Sequence, residues 1–244
     1  MIQVTGISKR FGAVQAVEAV SFSAPDGRIT GLLGANGAGK STTLRIISTV
    51  LKPDSGTVTV DGADTLAAGD AVRLRLGVLP HASGLYPRLT ARENIRYFGE
   101  LNGLAGAALQ QRLDQLIALL EISEFAERPA KGFSQGQRIK VALARALVHA
   151  PRNIVLDEPT NGLDVMATRV LRTLIRGLRD QGHCILFSSH VMQEVAALCD
   201  DIVIIAHGRI VARGTPDEIR RQSGETDLEE AFVKAVDAAP GAAP

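Results

Sequence analysis

Apolar positions along this chain change their period several times, and the changes mark out its elements. From Ile2 to Ser23 short β-prone pieces alternate with polar residues, as in Ile2-Gln3-Val4-Thr5 and Val17-Glu18-Ala19-Val20-Ser21-Phe22. Gly12 and the turn Pro25-Asp26-Gly27 punctuate them. Alternation of this kind suits strands with one wet face, so an antiparallel layer is expected, joined by Thr57-Val58-Thr59-Val60 ahead of Asp61-Gly62. Arg28-Ile29-Thr30-Gly31-Leu32-Leu33 is a short apolar segment that suits a buried strand. Helical periodicity follows from Ser41 to Ile47, and Pro53-Asp54-Ser55-Gly56 reads as the turn that stops that helix. Leu76-Gly77-Val78-Leu79-Pro80 is a further strand candidate.

The character then turns helical. Thr90 and Glu93 have the spacing of a capping box. Helices are expected over 109–120 and 137–148, with ends at Gly103 and near Pro129, and Lys131 to Gln137 forms a loop running into a helix. After Pro151 the pattern alternates again: strand 153–156, helix 167–178, strand 184–188, helix 191–198, strand 201–205, then a hairpin turn at His207-Gly208-Arg209 into Ile210-Val211-Ala212. Strands alternating with helices argue for a mostly parallel sheet with helices on its faces. The expected fold class is therefore α/β: a mostly parallel sheet with flanking helices, an antiparallel β layer and an inserted α-helical subdomain. The expected division is a core over about 1–85 and 150–219, a helical subdomain over about 88–148, and a C-terminal extension, 220–244. Its tail, Ala238-Ala239-Pro240-Gly241-Ala242-Ala243-Pro244, is expected to be disordered.

Composition narrows the partners more than the fold. A net charge of +1 points to neither nucleic acid nor an anionic membrane surface. With 4% aromatic residues and no Trp, stacking platforms for single-stranded nucleic acid are not expected. Cys184 and Cys199 lack metal-ligand spacing and read as buried thiols. Met1-Ile2-Gln3-Val4 has no signal-peptide layout, and no uncharged apolar run reaches about 18 residues, so no membrane span is expected.

The candidate chemistry begins at Gly34-Ala35-Asn36-Gly37-Ala38-Gly39-Lys40-Ser41, which reads G-x-x-x-x-G-K-S, followed by Thr42. Placed between a strand and a helix, this is a P-loop: its N–H groups and the helix N-terminus cradle phosphate. Lys40 would reach the β- and γ-phosphates of a nucleoside triphosphate, and the Ser41 hydroxyl would sit on Mg²⁺. Further on, Ile154-Val155-Leu156-Asp157-Glu158 is an apolar strand ending in two carboxylates. Asp157 is placed to hold Mg²⁺, and Glu158 to orient and deprotonate water.

The P-loop, the run Phe133-Ser134-Gln135-Gly136-Gln137, then Asp157-Glu158-Pro159-Thr160-Asn161-Gly162-Leu163-Asp164, then Ser189-His190, resemble the nucleotide-binding subunit of an ATP-binding cassette (ABC) transporter over about residues 2–219. The resemblance implies a P-loop (RecA-like) ATPase in which two copies stack head to tail around two ATP. Ser134, Gly136 and Gln137 of one copy would face the γ-phosphate bound by the other, His190 would be the switch histidine, and Asp164 would signal between sites. Phe11 would stack on adenine. The signature departs from the usual Leu-Ser-Gly-Gly-Gln at Phe133 and Gln135, and His81 stands where the family usually has Gln. An imidazole is the poorer Mg²⁺ ligand, so no direct Mg²⁺ contact is expected of His81. His81, His149, His183 and His207 receive no catalytic role. The implied partners are an integral membrane permease and a second ATPase subunit, at the cytoplasmic face of the membrane, with no nucleic acid. Gly84 to Leu104 and Asp227-Leu228-Glu229-Glu230-Ala231-Phe232 are similar to single-cassette exporters of the sodium-extrusion type; drug, haem or polysaccharide export would use nearly the same ATPase. A soluble cassette acting on ribosomes or DNA fits less well, since it usually brings two cassettes or a long coiled-coil insertion. A nucleotide kinase gives no reason for the signature or for His190.

Overall fold

The computed structural model describes residues 1–82 and 84–238. The N-terminal alternation forms one antiparallel sheet from β1 (Ile2–Phe11), β2 (Val14–Ala24), β4 (Ser55–Val60) and β5 (Ala63–Asp64), in the order β2-β1-β4-β5. The second sheet holds β3 (Ile29–Leu33), β6 (Leu76–Leu79), β7 (Asn153–Asp157), β8 (Cys184–Ser189), β9 (Asp201–Ala206) and β10 (Arg209–Gly214), ordered β10-β9-β3-β8-β7-β6. All neighbours in it pair in parallel except β10, which returns antiparallel to β9. The expected α/β class with an added antiparallel layer is what folds.

The first hairpin runs longer than the alternation suggests. Register shifts between Val4 and Arg10 absorb the polar residues that break the pattern, as bulges do. Helix α1 (Lys40–Ile47) ends at Ile47 as its periodicity does, but Pro53 to Gly56 is not what stops it: Ser48 caps it and Thr49 turns left-handed, φ 61°, while Ser55 and Gly56 already belong to β4. Next come α2 (Gly69–Arg73), α3 (Ala91–Leu101), α4 (Gly106–Leu119), α5 (Gln135–Leu147), α6 (Val165–Asp180), α7 (Met192–Leu198), α8 (Pro216–Ser223) and α9 (Leu228–Asp237). Thr90 makes the expected capping box with Glu93 at the start of α3. The pattern reading did not anticipate α2, α8 and α9. Thr215-Pro216-Asp217-Glu218 carried the signal for α8, a capping box with Pro at the first turn. Ala238 still caps α9 by donating to the Lys234 carbonyl; the rest of the expected disordered tail lies outside the described residues.

The parallel strands are buried on both faces, and their period of two divides the interior. Leu32, Val155, Leu186 and Val203 point toward α1 and the antiparallel sheet. Leu33, Ile154, Leu156, Ile185, Phe187 and Ile204 point into the core shared with α3 to α7. Register brings the chemistry to one edge. Leu33 pairs with Ser189, and Asp157 with Ser188, so the P-loop, the two carboxylates and the loop carrying His190 all leave the carboxyl end of the sheet, where open α/β sheets bind ligands. Among the described residues no helix is long and apolar enough to cross a membrane.

Candidate active site

The P-loop wraps from β3 into α1. Two of its glycines are required by the fold itself. A Cβ on Gly34 would lie 2.4 Å from the Ile205 carbonyl oxygen. Gly39 caps α1 at φ 110°, and a Cβ there would lie 2.6 Å from the Ala16 carbonyl oxygen. The loop closes over Lys40, whose ammonium donates to the carbonyls of Gly34 (2.7 Å) and Ala35 (3.2 Å).

The sequence-chosen groups meet around Glu158. Its Oε1 lies 3.4 Å from Lys40 Nζ and 3.2 Å from His190 Nδ1. Lys40 is buried, 4% exposed, so this contact is poorly screened. Asp157 is buried at the end of β7, with Oδ1 3.5 Å from Ser41 Oγ. Asn36, Gly37, Gly39, Lys40, Ser41, Thr42, Glu158 and His190 line one cleft of about 560 Å³, together with Ala16, His81 and Asn161. Gly34 and Ala38 are buried and do not line it.

Ser188 was missed. Its hydroxyl donates to Asp157 Oδ1 (2.7 Å) and accepts from the Glu158 N–H (3.0 Å), so one side chain holds the Asp157 carboxylate and the backbone of Glu158. A pair of serines ending an otherwise apolar strand was the available signal. Glu158 itself sits at φ 50°, a conformation that costs a non-glycine residue about 1–3 kcal/mol and clusters at functional sites. His81, assigned no catalytic role from sequence, faces this carboxylate, its Nδ1 3.8 Å from Glu158 Oε2.

Other expected residues lie apart from the cleft. Phe11 is half exposed at the hairpin tip, with Lys9 Nζ 5.8 Å from its ring centroid, and does not line the cleft. Ser134 and Gln137 bond each other: the Ser134 hydroxyl accepts from the Gln137 N–H (3.2 Å), and Gln137 Oε1 accepts from the Ser134 N–H (3.1 Å). Gly136 lies in the first turn of the helix they cap. Asp164 caps α6 by accepting from the Ala167 N–H at 2.8 Å, a structural role the sequence reading had not given it.

A cleft with a glycine loop opening into a helix N-terminus, a buried ammonium and a carboxylate beside it can bind a nucleoside triphosphate and take a proton from water. Comparison with known proteins agrees. The family model described as ABC transporter matches residues 17–161. The chain is 42% identical over 238 residues to the ABC transporter ATP-binding protein NatA of Bacillus subtilis, covering 96% of this chain and 97% of that protein. It is 36% identical over 232 residues to Nod factor export ATP-binding protein I of Ralstonia nicotianae, covering 95% and 72%. A solved ATP-binding subunit of an ABC transporter superposes with a TM-score of 0.89 at 31% identity, over 96% of this chain and 99% of that one. A dimeric ATP-binding cassette in a post-hydrolysis state bound to ADP and Pi gives 0.81 at 25% identity, over 88% and 98%. The chain belongs to the ABC transporter family, as an ATP-binding ATPase subunit.

Proposed function

We propose that this ATPase powers an exporter, two copies closing around two ATP to drive a separate membrane permease from the cytoplasmic face of the membrane. The observation that carries the reading is the Glu158 carboxylate, held between Lys40 and His190 in the P-loop cleft. In it Asn36 to Thr42 cradle the phosphates and Lys40 meets the β- and γ-phosphates. Glu158 accepts the proton of the attacking water, and His190 fixes the carboxylate and contacts the γ-phosphate. Ser41 and Asp157 are oxygen donors lying close together, which suits Mg²⁺. When bound there the ion offsets charge on the β- and γ-phosphates. Ser134, Gly136 and Gln137 of the second copy close the site, Asp164 sits at the junction of the two, and Phe11 flanks the adenine.

Residues 1–85 and 150–219 are taken as the ATPase core and 88–148 as the helical unit bordering the permease groove. The likeness to NatA over nearly the whole chain favours the sodium-extrusion type. Sodium efflux from vesicles holding the subunit with its permease tests the cargo; efflux of an organic substrate alone would replace it.

Glu158→Gln tests the mechanism. Hydrolysis should fall by about 10²–10⁴, while ATP affinity persists and an ATP-bound dimer accumulates in gel filtration. Normal turnover in this variant would refute the base assignment.

A further inference from the structure

Glu194 is a buried carboxylate, 9% exposed, on a helix that contributes nothing to the cleft lining. Burying an ion costs several kcal/mol unless its oxygens are met by donors. Here one oxygen meets two hydroxyls: Oε2 accepts from Thr160 Oγ1 and, at 3.2 Å, from Ser189 Oγ. Both hydroxyl-bearing residues are buried as well, Thr160 at 8% and Ser189 at 2% exposed.

The two hydroxyls belong to different elements, each next to the hydrolytic site. Thr160 follows Glu158 in the loop that runs to Asp164, and the turn around it is closed by Asn161 N–H to the Glu158 carbonyl (3.1 Å) and Leu163 N–H to the Thr160 carbonyl (3.0 Å). Ser189 ends β8, immediately before His190, and its oxygen also accepts from the Val191 N–H at 2.9 Å. The backbone on both sides of His190 is therefore fastened through Ser189. Glu194 does not cap its own helix, since no side-chain cap bond is made at the start of α7. An apolar side chain would fill the same space without burying a charge. A carboxylate on two hydroxyls fixes their directions instead.

We infer that Glu194 is a positioning residue: its carboxylate ties the loop behind Glu158 to the strand end before His190, and so holds the imidazole at its 3.2 Å contact with Glu158. This rests on the reading of Glu158 and His190 as the hydrolytic pair. Misplacing an aligned group by about 1 Å costs up to roughly 10²-fold in rate. The defect should appear in kcat, because the P-loop that binds nucleotide takes no support from Glu194.

The test is steady-state ATP hydrolysis by the full chain, with affinity read from a fluorescent ATP analogue. Glu194→Ala should lower kcat about 10- to 100-fold with affinity unchanged within about twofold. Glu194→Gln should recover kcat to within about threefold, since one amide oxygen can accept both hydroxyls. In a His190→Ala background, adding Glu194→Ala should change kcat by less than about twofold, as expected of residues acting through one another. Wild-type kcat in Glu194→Ala overturns the inference. An equal fold-loss with and without His190 also overturns it, since the effect would then bypass the imidazole. If Glu194→Ala does not fold, Thr160→Val, which removes only the hydroxyl linking Glu194 to the loop behind Glu158, decides the matter in the same two backgrounds. Wild-type kcat in His190→Ala alone would remove the hydrolytic reading, and this inference with it. An inactive His190→Ala beside a fully active Glu194→Ala removes this inference alone.

Discussion

Helices α1 and α5 both begin without a carboxylate in the first turn, as α4 and α6 also do, whereas α3, α8 and α9 carry one or more there. Beyond that they start in opposite ways. Helix α1 starts on Gly39 with no side-chain cap, and its first residue, Lys40, is buried and tied to two carbonyls and to Glu158. Helix α5 starts on the exposed Ser134, capped reciprocally by Gln137. The orphan N–H groups of α1 are left for a ligand, and the surroundings are built to hold one. At α5 two of these donors are already satisfied within the chain, so that end is stable alone. One site is organised by its own chain; the other is a finished surface feature that gains chemistry only from something brought to it.

Trans-complementation breaks or upholds that contrast most directly. Lys40→Ala spoils the cleft, and Ser134→Glu puts a carboxylate at the start of α5; removing such electrostatic support should cost hydrolysis about 10²–10³-fold in each variant alone. Mixed in equal amounts, random pairing leaves one intact site in half of the dimers, so activity should return to roughly a quarter of the wild-type rate. If the mixture stays as inactive as its components, the two motifs do not serve one shared site.

Two glycines sharpen the contrast on stability. A Cβ on Gly34 would meet the Ile205 carbonyl oxygen at 2.4 Å, whereas on Gly136 it would meet only a Leu163 methyl at 3.8 Å. Gly34→Ala should therefore destabilise the chain by about 1–3 kcal/mol through overpacking, and Gly136→Ala by no more than about 0.5 kcal/mol, both measured by thermal melting. A Gly136→Ala chain that melts normally yet hydrolyses ATP poorly would place the need for glycine in a ligand's close approach. A large loss of stability in it would refute the idea that this end owes nothing to its surroundings.

The same contrast explains what could be read from the sequence. Strand, glycine loop and helix around Lys40 are local in the chain, so the P-loop was legible from spacing and period alone. The meeting of Glu158 with His190 was legible only through the resemblance, because parallel pairing of β7 and β8 depends on contacts far apart in sequence. The serine pair ending β8 was visible, but what Ser188, Ser189 and Glu194 do was not legible. Their roles lie in which hydroxyl faces which oxygen, and apolar patterning says nothing of that. His81 shows the limit of arguing from a family position: losing an amide suggested a lost Mg²⁺ contact, while the imidazole faces Glu158 across 3.8 Å.

The smallest expected signal reports on the sheet that carries the P-loop, since Cys184 lies in β8 and Cys199 ends α7 against Gly31 of β3, and neither lies on α5. Cys184 is buried, and burial pushes its thiol from 9.0 up to about 11. Burial pushes Cys199 up further, where its sulfur packs under Gly31 of the P-loop strand. The folded chain thus keeps protons that the unfolded chain releases. Below pH 9 the thiols contribute no pH dependence; from there toward 11 they make stability fall as pH rises, because only the unfolded state ionises freely. At pH 8 a thiol reagent should label neither cysteine unless denaturant is added, with or without ATP, because the thiolate is the reactive form. Labelling of native chain on a faster timescale than global unfolding would mean that the sheet beneath the P-loop opens locally. The cleft would then not be organised by its own chain, and of the two helix starts only that of α5 would stand finished without a ligand.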